Sequence, residues 1–178
     1  MSLVGETNRL RHIGSELAVA VLAAGRRTRV LRTAWRIKDA QTPPGLDENK
    51  RPDFQELLVG VRLGVFVRPG AGEAVPTLAE RVAAALANPT SVSRFGGLAL
   101  GESTHLVDEV RPLRAEDRRP GDEAVWLVRS ATGALALPIW PDHVGSAGTA
   151  YGQFETEPVA DLFTPPDAAW VRIAPRDG

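Results

Sequence analysis

The chain contains no cysteine. That excludes disulfides, thiolate metal sites and cysteine nucleophiles, and it suits a reducing cytoplasm. No apolar run approaches the ~20 residues of a membrane span. The opening MSLVGETNRL has no basic stretch followed by an apolar one, so it does not read as a secretory signal. Histidine is scarce: His12, His105 and His143 are far apart, and none falls in HExxH or HxH. No metal site and no cofactor is indicated. The nucleotide and nucleophile motifs are missing too. From Gly97, GLALGES lacks the GxxxxGK[ST] spacing and its lysine. Gly96, Gly97 and Gly101 do not supply GxGxxG, and Ser103 is not flanked as in GxSxG.

What is present suits one globular domain over residues 1–178, with 43% hydrophobic and 24% charged residues. The net charge of −1 conceals an asymmetry. Residues 1–62 carry eleven Lys/Arg against seven Asp/Glu, whereas residues 63–178 carry ten against fifteen. Between Arg26 and Lys38 six cations meet no acid. Such a strip suits an anionic partner, or equally a solvated edge strand protected by charge.

Local patterns order the elements. MSLVGETNRLRHIG reads as a helix end stopped at Gly14, and Leu17–Leu22 as a buried strand. Thr28–Lys38 alternates, but neither face is purely apolar, which predicts an arm exposed on both sides. A long Pro-rich loop over 39–52 follows. Leu57–Arg68 predicts one strand: Val59, Val61, Leu63, Val65 and Val67 form an aliphatic face, opposite Gly60, Arg62, Gly64, Phe66 and Arg68. Thr77 and Glu80 have capping-box spacing, predicting a helix that ends at Asn88–Pro89. His105–Leu113 reads as a strand. Ala124–Arg129 and Ala134–Trp140 read as a hairpin around Thr132–Gly133. The glycine-rich stretch from Pro141 to Pro158 reads as irregular, and Ala168–Ile173 as a last short strand. The order predicts an α+β sheet with helices on one face.

The chain is organised around Arg94–Val110, RFGGLALGESTHLVDEV. Its glycines permit close backbone approach. Glu102, Ser103 and His105 could serve local turns and hydrogen bonds. Joined to a basic arm holding a tryptophan, the segment instead suits a single-stranded polyanion: arginine and backbone N–H groups take phosphate, and aromatics stack on bases. The candidate RNA-binding residues are Arg29, Arg32, Trp35, Arg36 and Lys38 on the arm, with Lys50 and Arg51 at its return. Arg94, Gly96, Gly97, Gly101, Ser103 and His105 belong to the glycine-rich segment. A histidine with Lys38 or Lys50 and Tyr151, the single tyrosine, could in principle cleave RNA without metal, but any chain supplies such residues.

RFGGLALGESTHLVDEV resembles a hallmark of the fifth CRISPR-associated (Cas five) family, in its DevS-like branch. LVGETNRLRHIG, VLRTAWRIKD and NKRPDFQELLVGVRL resemble further blocks of that family in the same order, from Ser2 to about Leu113. The resemblance implies a RAMP-superfamily protein with a ferredoxin-like (RRM-like) palm and a β-hairpin thumb. It implies a subunit of the type I Cascade complex that caps the 5′ handle of the guide RNA (crRNA) and contacts the backbone and large subunits. Members of one subtype instead process the precursor RNA as metal-independent endoribonucleases. On this mapping residues 29–58 are the thumb, 94–105 the segment near the handle, and 115–178 a C-terminal β-rich part. Family members open with a strand and a Pro-rich turn before the helix that ends LLSLVGE, so the resemblance implies that the first palm strand is missing here.

Overall fold

A computed structural model of the chain describes residue 3 and residues 12–35, 50–92, 98, 107–140 and 149–174. The side chains of 33–35, 50 and 51 are outside that description. The fold is α+β: eight strands and one α-helix among the described residues. By contacts the chain divides into two compact units, residues 1–22 with 63–178, and Ala23–Arg62.

The larger unit is built on a six-stranded sheet among the described residues. Its strands are β1 (Glu16–Ala23), β4 (Arg62–Arg68), β5 (Val125–Arg129), β6 (Leu135–Trp140), β7 (Ala150–Pro158) and β8 (Val171–Arg172), in the order β4-β1-β5-β7-β6, with β8 also on β1. β1 pairs antiparallel with β5 and β8, and β7 antiparallel with β5 and β6. Period-two alternation in β1 sends Ala18, Ala20 and Leu22 into the core. There they meet Trp126 and Val128 of β5, and Ala124, Val159, Leu162 and Ala169 from the connections. Ala20 lies directly opposite Trp126, a small residue making room for the indole. Phe66 of β4 tilts onto Trp126 with ring centroids 5.2 Å apart.

The strand expected over 57–68 is two strands. Gly60, at φ +76°, breaks it between β3 (Lys50–Val59) and β4. The aliphatic face of β4 is also not its core face. Leu63 and Val65 are exposed, whereas Gly64 is buried and Phe66 packs on the core. A Cβ at Gly64 would lie 3.6 Å from the Leu113 side chain and 3.7 Å from Ala20. These are ordinary van der Waals distances, so a small side chain would fit at this buried position.

Three further expectations are corrected. β5 and β6 do not form a hairpin: both pair with β7, so they run in the same direction. Their connection crosses the β7 backbone at Gly133, where a Cβ would come within 2.3 Å of the Phe154 carbonyl oxygen. Residues 150–158 are a full strand, with Gly152 and Phe154 buried between exposed Tyr151, Gln153 and Glu155. Residues 107–113 are irregular; residues 105 and 106 lie outside the described residues.

Helix α1 (Leu78–Ala87) is where the capping box places it: the Glu80 N–H donates to Thr77 Oγ1, and the Glu80 carboxylate accepts from the Thr77 N–H at 2.7 Å. Glu73 ties this helix start to the sheet. It accepts from the Ser15 hydroxyl at 2.7 Å and from the Leu78 N–H. At the same end of β1, Glu16 pairs with Arg68 at 2.5 Å, and Arg68 lies 4.2 Å over the Trp170 ring.

Candidate nucleic-acid interface

The smaller unit is built on a long antiparallel hairpin, β2 (Arg26–Trp35) with β3, running through ten pairs from Arg26↔Val59 to Trp35↔Lys50. At ~3.3 Å per residue it extends about 30 Å. Its base is closed by Gly25, at φ +69°, where a Cβ would lie 2.5 Å from the Val59 carbonyl oxygen. Glycine is required there on both counts. The strands hold six cations, Arg26, Arg27, Arg29, Arg32, Lys50 and Arg51, against the two acids Asp53 and Glu56.

Pairing divides these residues between two faces. One face carries Arg26, Thr28, Val30 and Arg32 with Val59, Leu57, Gln55 and Asp53 opposite; the other carries Arg27, Arg29 and Leu31 with Leu58, Glu56 and Phe54. Both faces are exposed, as the mixed alternation requires. Arg29 and Arg32 point to opposite sides, as the alternation of residues 28–38 predicts. Arg32 Nη1 donates to Gln55 Oε1 at 2.8 Å. Arg29 lies over the Phe54 ring, 4.8 Å from its centroid. Arg27 pairs with Glu56 at 3.7 Å across exposed surface, an interaction worth under about 1 kcal/mol.

Trp35 and Lys50 close the ladder as its last pair, and Arg51 stands opposite Ala34. Arg36, Lys38, Arg94, Gly96, Gly97, Gly101, Ser103 and His105 lie outside the described residues. Phe54 was missed by the sequence reading. Its signal is the alternation of Phe54, Glu56 and Leu58, and β3 begins at Lys50, inside the loop expected over 39–52.

Not every arginine is available to a ligand. Arg111 grips Asp117 with two hydrogen bonds, at 2.8 and 2.5 Å, and its Nε lies 3.1 Å from Glu109. The Arg114 N–H adds a third bond to Asp117, at 2.8 Å. Led by the Arg111 hydrogen bonds, this holds the Asp117 carboxyl down at about 2 and raises Arg111 further. Their charges are committed to shaping the 109–117 segment. His12 is buried with its Nδ1 3.0 Å from Arg81. Tyr151 is 65% exposed, in an open cleft with Arg129 and Gln153. Among the described residues no group of three acidic, histidine or cysteine side chains could hold a metal. Nor is any helix among them long and apolar enough to cross a membrane.

No family model matches the chain. It is 46% identical over 155 residues to the CRISPR-associated protein Cas5 of Myxococcus xanthus (strain DK1622), covering 85% of this chain and 70% of that protein. The chain belongs to the Cas5 family. The likeness is longer than the blocks between Ser2 and Leu113, so it reaches into the C-terminal β-rich part. Membership makes this a CRISPR-associated chain and places the β2–β3 ribbon within a Cas5-family protein.

Proposed function

We propose that this Cas5-family chain is a non-catalytic subunit of a type I CRISPR–Cas antiviral complex (Cascade) that binds and caps the 5′ handle of the crRNA in the cytoplasm. The observation that carries the reading is the β2–β3 ribbon, two-faced, exposed and four charges positive over its strands. A cationic ribbon with an aromatic on it suits a single-stranded polyanion. On this reading the hairpin is the thumb, the β4-β1-β5-β7-β6 sheet with α1 is the ferredoxin-like RAMP palm, and the backbone and large subunits are the protein partners. Residues 94–105 would contact the handle.

The test is binding of a labelled 5′-handle RNA to the purified chain across a salt series. Tight binding is expected, with log K falling steeply against log salt by about 0.7 per phosphate contact. The double charge reversal Arg29→Glu/Arg32→Glu should flatten that slope. Binding that ignores both salt and this variant would sink the reading. The same RNA should stay intact in EDTA; discrete cleavage would move the chain to the nuclease class.

A further inference from the structure

The hairpin face that holds Arg29 also holds large exposed apolar side chains. Leu31, Phe54 and Leu58 are 66%, 60% and 65% exposed. Leu31 and Phe54 are directly opposite, and Leu58 is opposite Arg27. Glu56, the acid on this face, is drawn to Arg27. Arg29 instead turns to Phe54, with its guanidinium carbon 4.8 Å from the ring centroid. Water-exposed leucine and phenylalanine in one row are costly to leave uncovered.

We propose that Arg29 and Phe54 form a stacking platform for one unpaired nucleotide base, with Leu31 as its apolar floor. The proposal rests on the RNA-binding reading above and names the face and the residues that take the base. The chemistry fits in three ways. An aromatic ring accepts any base on its π-face. A guanidinium lying on that ring adds a second flat, cationic surface, which attracts the phosphate linked to the base. The ribbon's excess of six cations over two acids matches a polyanion. An apolar protein partner would match Leu31 and Leu58 but would leave that charge unanswered.

The experiment uses the full chain and fluorescence anisotropy with a single-stranded CRISPR-repeat oligonucleotide. A matching set carries one abasic position each. Phe54→Leu keeps the apolar bulk and removes the ring; Phe54→Trp keeps the stack. Phe54→Leu is expected to weaken binding on the order of tenfold, with the salt slope unchanged. Phe54→Trp should restore affinity. Arg29→Gln should weaken binding and also lower the slope by about 0.7. One abasic position should weaken the wild type and leave Phe54→Leu no weaker than it already is. Phe54→Leu binding the intact RNA like wild type overturns the proposal. So does an abasic series that penalises wild type and Phe54→Leu alike. Phe54→Leu that binds RNA normally but no longer assembles with protein subunits would assign the face to a protein instead. A wild-type chain that binds no RNA would remove the RNA reading itself, a result distinct from a Phe54 variant that matches a binding-competent wild type.

Discussion

Ala20 of β1 stands directly opposite Trp126 of β5, and both are essentially excluded from solvent. The methyl group is there because the indole fills the space beside it. Ala20→Leu should overpack this site and cost about 1–3 kcal/mol. Trp126→Ala should empty it and cost about 3–5 kcal/mol. Urea unfolding followed by circular dichroism distinguishes both from wild type.

Gly133 allows one strand connection to cross another strand's backbone. Its Cβ position lies 2.3 Å from Phe154 O, and backbone cannot move aside as a side-chain tip can. Gly133→Ala should therefore destabilise more than Gly72→Ala, where a Cβ meets open space and only the positive φ is at issue, a cost of about 1 kcal/mol. Paired denaturation curves test the ranking.

The Arg111–Asp117 grip carries a pH signature. The Asp117 carboxyl sits at about 2, below its ordinary 3.8, so ionised Asp117 favours the folded state. That contribution is complete above the ordinary value and fades as pH falls through about 2. Asp117→Asn should remove it: the variant should lose stability at pH 7, and its gap from wild type should narrow between pH 4 and pH 2. Thermal melts across that range measure the gap. A constant gap would show that Asp117 acts through shape alone.

Much of the fold was legible where the signal is local. Helix α1 follows from Thr77 and Glu80, three residues apart, and β1 from one apolar run. Pairing is non-local, and there the reading failed. Thr132–Gly133 looks the same whether the strands beside it pair with each other or both pair with β7. The registers of both strands with β7 tell the cases apart, and Gly133 lies over Phe154 as a result. β7 has no β-branched core residue and reads as a glycine-rich loop until Gly152 and Phe154 are seen to be buried. The same limit applied at the ribbon. Arg29 stood out by charge, but the ring beneath it is in β3, placed there by register.

The capping box predicts a modest, local effect. Thr77→Ala removes the acceptor for the Glu80 N–H and should cost about 0.5–2 kcal/mol. Thr77→Ser should recover most of it. Hydrogen exchange at the first turn of α1 reads both.

Gly25 brings the hairpin's two ends within touching distance: its missing Cβ would collide with Val59 O. Among the described residues, none that builds the main core comes from Ala23–Arg62. The ribbon is therefore a cassette. Its two strands start and end at adjacent anchor points, and its ten pairs are made within the ribbon itself. The side chains it displays can change while the backbone ladder that carries them stays in register.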